Sequence, residues 1–139
     1  MGAISDFLET AYINHTFRGI GYTAPTTLAV ALCTASPGET GTGSAMSEVT
    51  GGAYSRVSVA PGTANWAAVS AGNGTTNNLN TITFPTATAS WGTINYVAIC
   101  DALSGGNMLF YGSLSSPAVV SSGDTFTFSA GSLAVTIDT

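Results

Sequence analysis

The sequence predicts an all-β fold, an antiparallel β-sandwich or jelly-roll-like domain, with one short α-helix near the N-terminus. Two observations favour this class. Gly, which marks turns, and Thr, which favours strands, are both abundant, with 17 Gly in 139 residues. Short runs of strand length also recur between turn signals, at spacings that suit a sandwich. We therefore expect a single domain over residues 1–139, with the sandwich spanning 26–139.

Residues 5–18, with the sequence SDFLETAYINHTFR, predict the helix. Ser5 or Asp6 can cap its start, and Gly19 can supply the left-handed residue that ends it. Apolar side chains recur at helical spacing at Phe7, Leu8, Ala11, Tyr12 and Ile13. Two explanations of this stripe stay open at this point. Either the helix covers an edge or end of the sheet, or it docks on a partner.

The strands are predicted from short apolar or alternating segments. They lie at 28–34, 54–60, 80–84 and 94–101, and in the segments NMLFYGSL, PAVVSS, DTFTFSA and SLAVTID. The pair Gly105-Gly106 predicts a hairpin, and Gly123-Asp124 predicts a later turn. Segments 36–52 and 63–80 are expected to be long loops, the first of them exposed. Loops of this length are often functional.

The scarcity of charge excludes several classes of partner. Only 6% of the residues are charged, the net charge is −5, and the two cations are Arg18 and Arg56. Nucleic-acid binding is not expected, because it needs several Lys or Arg side chains at phosphates. The same scarcity argues against a polybasic membrane-binding role. A nearly uncharged polar surface packs on neighbours at a low desolvation cost, although a merely weakly charged soluble protein would look the same.

The cysteines and the N-terminus indicate the compartment. Cys33 and Cys100 each lie in an apolar run, so two buried free thiols are expected, and a bridge between them stays open. The N-terminus has no secretory-signal pattern, and no apolar stretch reaches the ~20 residues that a membrane span needs. The protein is therefore expected to be made and kept in a cytoplasm until it assembles.

No catalytic, metal or cofactor site is predicted. His15 is the only histidine and lies on the predicted helix, where an ordinary polar role is expected. The absence of lysine excludes Schiff-base chemistry and the lysine-containing phosphate loop. Asp101, Asp124 and Asp138 are expected to shape turns or the terminus. We therefore expect a protein that is not an enzyme.

Aromatic side chains are the remaining candidates for a functional surface. Phe126 and Phe128 share one face of a predicted strand and are expected in the core, whereas Phe110 and Tyr111 must point to opposite faces. Because Trp and Tyr dominate interface hot spots, the candidates for partner contact are Phe7, Tyr12, Trp66 and Tyr111. Trp66, in a predicted loop, is equally explained by folding down to seal the sandwich.

Five segments in this order carry a resemblance to a known family. They are DFLETAYINHTFRG, TAPTTLAVALCTASPGE, TGGAYSRVSVAPGTANWAA, ITFPTATASWGTINYVAICDALSGGNMLFYGSL and VVSSGDTFTFSAGSLAVTID. Together they cover nearly the whole chain. The sequence resembles a family of small virion proteins of tailed bacteriophages. Many members carry a tail-fibre label, and some serve as capsid cement or decoration proteins.

The resemblance implies a β-sandwich that coats or clamps a virion surface as a dimer or trimer. It implies first a capsid cement protein on the capsid surface, which binds the major capsid protein and copies of itself and stabilises the head. The alternative is a tail-associated module that binds a receptor or a glycan. The resemblance brings no catalytic residues and no cofactor.

Overall fold

A computed structural model describes residues 3–69 and 72–137, and it confirms the all-β class with one short helix near the N-terminus. In chain order the elements are β1 (Ala3–Ile4), α1 (Asp6–Phe17), β2 (Ala29–Cys33), β3 (Val57–Ser58), β4 (Thr75–Asn77), β5 (Ile82–Thr83), β6 (Gly92–Cys100), β7 (Met108–Val120), β8 (Thr127–Phe128) and β9 (Ala134–Thr136). The strands pair in antiparallel fashion throughout the described chain.

The strands form one five-stranded sheet and two short ribbons. The sheet has the order β1-β7-β6-β2-β3, and the ribbons are β4-β9 and β5-β8. Buried apolar side chains fill the space between the sheet and the ribbons. They include Val30, Leu32, Val97 and Ile99 from the sheet, and Ile82, Phe84, Phe128 and Val135 from the ribbons or beside them. The second layer of the predicted sandwich is thus a pair of ribbons.

The other face of the sheet carries a smaller core. Ala31, Cys33, Ala98, Cys100 and Met108 are buried there, with Met46, Tyr96 and Tyr111 packed against them. All five residues of β2 are buried as a result. This explains why the segment is a continuous apolar run and not an alternating one, since a strand covered on both faces needs apolar residues at every position.

The predictions about the two aromatic pairs are confirmed in the structure. Phe110 packs against the large core and Tyr111 against the small one, so the two neighbours do point to opposite faces. Phe126 and Phe128 pack edge to face, with their ring centroids 5.0 Å apart. Both belong to the large core or its border.

β7 joins two segments that the sequence predicted as separate strands. Ile94 of β6 stands opposite Ala118, and Tyr96 stands opposite Ser113. The four residues at 114–117 therefore face Asn95 alone, which makes a wide bulge. Pro117 lies in this bulge, where its missing N–H breaks no regular ladder bond.

The long segments are more ordered than the sequence predicts. The segment 36–52 returns along β2, where Thr34 donates from its N–H to the Ser47 carbonyl at 2.9 Å. Val49 donates likewise to Leu32 at 3.0 Å, and its side chain is buried in the large core. The prediction of a wholly exposed loop is wrong for this part. The segment 63–80 contains β4, while only Val57–Ser58 of the predicted strand at 54–60 is regular strand.

Asn78 is a fully buried polar residue that connects the two ribbons. Its Oδ1 accepts from the N–H of Leu133 at 2.9 Å, and its Nδ2 donates to the carbonyls of Asn80 and Ser129 at 2.8 and 3.0 Å. The amide is thereby satisfied on both sides, as burial of a polar group requires. This network fixes the turn after β4 against the turn between β8 and β9.

The predicted turns are confirmed by their backbone angles and hydrogen bonds. Gly105 and Gly106 have φ values of 60° and 72°, the left-handed region that favours glycine. Asp101 accepts from the N–H of Asn107 at 2.7 Å, and Asp124 accepts from that of Ser121 at 2.9 Å. Both carboxylates thus bond local backbone, as expected. Asp138 lies outside the described residues.

Candidate partner-binding surface

The start of α1 is tied to the main sheet. Ser5 is the N-cap, and its Oγ accepts from the N–H of Leu8 at 3.3 Å while the hydroxyl donates to the Met108 carbonyl. The Ser5 N–H also donates to Leu109 at 2.9 Å, and the N–H of Asp6 donates to Glu39 at 3.0 Å. Ser5 itself is fully buried. The helix therefore leaves the sheet from a fixed point, and the prediction of Ser5 as a cap is confirmed.

The end of α1 also matches the sequence. Gly19 has a φ of 67° and follows the C-cap Arg18. Beyond it the chain folds back on the helix, since the N–H of Ile20 donates to Asn14 at 3.1 Å and the N–H of Tyr22 donates to His15 Nδ1 at 3.3 Å. The Tyr22 ring packs edge to face on Phe7 at 6.3 Å. His15 thus has an ordinary structural contact.

Several large apolar side chains on α1 and just after it are uncovered, with polar side chains exposed between them. None of the 12 helix residues is buried. The large apolar side chains exposed here are Phe7, Tyr12, Ile13, Phe17 and Ile20, which we call the α1 surface. Phe17 is 75% exposed, and Ile13 lies one helical turn before it. A concentration of this kind is typical of an interaction site, whereas single exposed apolar residues are common on any surface.

The four aromatic candidates lie in different places. Phe7 and Tyr12 belong to the α1 surface. Tyr111 is half-buried on β7 and stands opposite Ala3 of β1, the strand that leads into the helix. Trp66 lies between β3 and β4, far from these residues along the chain. It packs against the large core, and its indole N–H donates to the Val59 carbonyl at 3.3 Å. Whether any of the four contacts a partner stays a prediction.

Trp66 also borders a small apolar cavity of about 200 Å³. Its lining includes Leu28, Val69, Ile99, Phe110 and Val135. Because one side of the indole packs on the core and its N–H already has an acceptor, Trp66 offers less free aromatic surface than a side chain on an extended loop.

Arg56 lies at the centre of a buried hydrogen-bond network that the sequence did not predict. Its Nε and one Nη donate to the two oxygens of Glu48 at 2.8 and 2.9 Å. Its remaining N–H groups donate to the carbonyls of Gly43, Ala102 and Gly105 at 2.6, 2.8 and 2.9 Å. The hydrogen bond to Glu48 raises the pKa of Arg56 further. With all its donors used, Arg56 holds loops together and has none left for a ligand anion.

Tyr54 and Gly43 contribute to the same network around Arg56. The Tyr54 hydroxyl donates to Glu48 Oε1 at 2.7 Å and accepts from the N–H of Leu32 at 2.9 Å. Gly43 packs so closely on the hairpin that a Cβ there would collide with the Gly105 carbonyl. The available sequence signal was the position of Arg56, one of only two cations, within an alternating strand-like segment.

The cysteines are free and buried within one small core. Cys33 pairs with Tyr96 and Ala29 pairs with Cys100, so the thiols sit on neighbouring strands four positions apart. That offset is roughly 13 Å along the strand, too far for a disulfide. Burial raises the pKa of Cys33 to about 12 and that of Cys100 to about 11. Both thiols therefore stay protonated near neutral pH.

Residues 3–69 and 72–137 contain neither a cluster of metal-binding side chains nor a helix that could span a membrane. No group of three or more His, Cys, Asp or Glu side chains is arranged to hold a metal ion. No helix in that part of the chain has the length and apolar character to cross a membrane.

Comparison with known proteins assigns the chain to a family. The sequence profile described as podophage GP4 fiber I protein gp80 matches residues 3–136, nearly the full length. The chain belongs to this family. It is accordingly a structural protein of a bacteriophage virion, which agrees with the resemblance stated above at the level of the virion. A comparison with curated proteins gave no match for this gp80-family chain.

Proposed function

We propose that this gp80-family protein is a non-enzymatic structural subunit of the phage tail-fibre apparatus, attached to a neighbouring virion protein through the α1 surface. The observation that carries the proposal is the number of large apolar side chains exposed on α1 and just after it. The family description, which names a fibre protein, supports placement at the tail.

The composition of the α1 surface suits a protein interface. Its aromatic and aliphatic side chains supply apolar area, and Asp6, Glu9 and Arg18 supply polar groups among or beside them. Interfaces commonly combine an apolar centre with a polar rim. Burial of apolar surface contributes roughly 25 cal/mol per Å², so covering several such side chains is a substantial driving force.

The attachment of α1 to the sheet lowers the cost of binding. The helix is capped and tied to β7 through Ser5, and the return segment packs on it through Tyr22. A binding element that is already ordered loses less conformational entropy when it docks. The α1 surface is thus presented in one orientation, as a repeated contact in a symmetric particle requires.

The second candidate is the capsid cement role, with the major capsid protein as partner. The observation that favours it is the absence of any 20-to-50-residue repeat or shaft-like segment in the sequence. A small domain with few charges can bind many equivalent positions on a shell through modest contacts. In this candidate too, the α1 surface is the contact.

The proposal includes that the protein is not an enzyme. His15 is exposed and its Nδ1 accepts a backbone hydrogen bond, while both thiols are buried and protonated. None of these is an activated nucleophile or a paired general base. Incubation of the purified protein with cell-wall and capsular polysaccharide, followed by a reducing-sugar assay, tests this. Release above that from a heat-denatured sample contradicts it.

Electron cryo-microscopy of intact particles tests the location. We expect the chain in density at the tail, in few copies, with α1 against a neighbouring protein. Hundreds of copies over the head would overturn the fibre assignment and establish the cement role. Density in which α1 faces solvent in every copy would contradict the proposed contact, wherever the protein lies.

A further inference from the structure

The wide bulge of β7 borders a cavity that the proposed attachment through α1 does not use. The cavity measures about 380 Å³. On one side it is lined by the bulge and by Val97 of β6, and on the other by the segments that carry β8 and β9. We call it the bulge cavity. Its lining residues are Val97, Ser113, Leu114, Ser115, Ser116, Ala118, Phe126, Phe128, Ser132, Leu133 and Ala134.

The floor and the rim of the bulge cavity differ in chemistry. Val97, Phe128 and Leu133 are buried and form an apolar floor, with Phe126 half-buried beside them. The rim carries three exposed serines, Ser115, Ser116 and Ser132, whereas Ser113 stands opposite Tyr96 and points to the face of the small core. Ser132 donates to the Ser129 carbonyl at 2.8 Å. The Ser115 and Ser116 hydroxyls have no hydrogen-bond partner within the part of the chain that the structure describes.

We propose that the bulge cavity binds one unit of a neutral saccharide. A pyranose ring has C–H groups on its faces and hydroxyls around its perimeter. The C–H face can lie on the Phe126 and Phe128 rings, whose π faces attract positively polarised hydrogens. The perimeter hydroxyls can pair with the serines, because each Ser hydroxyl donates once and accepts twice. The apolar face and the hydroxyl perimeter of the saccharide thus each have a counterpart in the cavity.

Charge and size narrow the ligand class. The lining contains no ionisable side chain, so an acidic or basic ligand would lose its hydration without gaining a partner. A volume of about 380 Å³ lies in the range of small-molecule sites. The cavity beside Trp66 shows the contrast, since its lining is almost wholly apolar and would not satisfy a ring of hydroxyls.

The geometry of the bulge also disfavours a peptide ligand. An added peptide strand binds through regular backbone N–H and carbonyl groups on a sheet edge. Here the ladder is interrupted over 114–117, and Pro117 has no N–H to offer. Recognition must therefore come from the side chains of the rim and floor. The inference goes beyond the proposed structural role and holds for either location in the virion.

Saturation-transfer NMR on the full-length protein tests the inference. The probes are the methyl glycosides of glucose, galactose, mannose, rhamnose and N-acetylglucosamine, each at millimolar concentration. We expect saturation of at least one pyranoside, strongest on its ring C–H protons. In Ser116→Trp, an indole on the exposed rim fills the cavity, and the dissociation constant should rise at least about tenfold.

Two further variants make the result interpretable. Phe126→Ala removes part of the aromatic floor and should weaken binding as well. Because Phe126 also packs against the large core, this variant can lose stability, whereas Ser116→Trp changes only the exposed rim. Ser121→Trp is the matched control, since Ser121 is exposed just beyond β7 and does not line the cavity. Its affinity should equal that of the wild type.

Either of two outcomes overturns the saccharide inference. One is no saturation transfer from the wild-type protein to any of the five glycosides. The other is equal transfer in the wild type and Ser116→Trp, with circular dichroism showing both folded. Neither outcome affects the proposed structural role, which depends on where imaging places the chain and on the contacts of α1.

Discussion

Arg56 connects three segments that are far apart in the sequence. Its partners lie in the segment 36–52 and in the hairpin loop between β6 and β7. Lys has one nitrogen in place of three, so Arg56→Lys leaves several of these acceptors unpaired in a buried site. We expect the free energy of unfolding to fall by about 3 kcal/mol, measured by urea denaturation.

The second arginine provides the control. Arg18 is exposed, and within the described chain its side chain donates only to Asn14 Oδ1, at 2.8 Å. Arg18→Lys should change the free energy of unfolding by no more than about 0.5 kcal/mol. Similar losses in the two variants would show that the buried network around Arg56 adds little to stability.

The buried thiols predict a loss of stability at alkaline pH. Burial raises the pKa of Cys33 to about 12 and of Cys100 to about 11, from the ordinary thiol value of 9.0. The folded protein therefore holds these protons more tightly than the unfolded chain. Their contribution is fully present below pH 9 and is lost as the pH rises through 11 to 12.

The slope of stability against pH is the quantity to measure. We expect the urea midpoint of the wild type to decrease above pH 9. The variant with Cys33→Ala and Cys100→Ala should start lower, because it lacks two buried side chains, but its midpoint should fall less steeply. Parallel slopes in the two proteins would mean that the thiols do not titrate with shifted pKa values.

At the scale of the element, one hydroxyl both caps α1 and adds to the backbone bonds that tie the helix to the sheet. Ser5 both caps the helix and donates to the Met108 carbonyl. Ser5→Ala removes the cap and leaves that buried carbonyl without this donor. We expect a loss of about 1–2 kcal/mol in the free energy of unfolding, together with faster amide hydrogen exchange at Leu8.

A second position on the same helix separates capping from helix propensity. Thr16 is exposed near the end of α1, and Thr16→Ala introduces the best helix former there. This variant should be neutral or slightly stabilising. If Ser5→Ala were equally neutral, the bond to Met108 would not be what holds the helix to the sheet.

The sequence predicted the elements with local signals. The cap at Ser5, the left-handed Gly19 and the helical spacing between them located α1 within one residue at each end. The apolar run at 28–34 located β2, and Gly105-Gly106 located the hairpin. In each case a few neighbouring residues suffice to choose the conformation, so a single sequence carries the information.

Elements whose conformation depends on distant partners were not predictable in this way. β1 is two residues long and exists because it pairs with Phe110 and Tyr111. Pro117 indicated a break between strands, yet register with β6 on both sides of it makes one strand with a bulge. The bulge cavity follows from that register and could not be foreseen either.

The same distinction, between features set by neighbouring residues and features set by distant ones, applies to the exposed and buried side chains. The aromatic candidates Phe7 and Tyr12 were identified from helical spacing, and the structure places both at the surface. The exposure of Phe17 and Ile20 depends on which side of α1 meets the sheet, which spacing alone does not give. The partners of Arg56 are separated from it by up to 49 positions, so no local pattern reveals them.

At the scale of the whole molecule, the core that stabilises the fold and the surface proposed for attachment lie in different parts of the chain. The large core lies between the sheet and the ribbons and contains no residue of α1. Substitutions on the α1 surface should therefore leave folding intact while removing apolar contact with a neighbour. This separation lets one pair of substitutions test the proposed contact without weakening the fold.

The test replaces Ile13 and Phe17 by Gln, which is neutral and a good helix former. We expect Ile13→Gln with Phe17→Gln to change the free energy of unfolding by less than about 0.5 kcal/mol. Incorporation into particles should fall at least about tenfold, because the centre of the interface becomes polar. Quantitative mass spectrometry of particles assembled with the variant as the only source of this protein gives the ratio. Val119→Gln is the matched control, since Val119 is 68% exposed near the end of β7, far along that strand from the Leu109 carbonyl that binds Ser5, and it should incorporate normally. Equal incorporation of the α1 variant and this control would contradict attachment through the α1 surface, even if imaging places the protein at the tail.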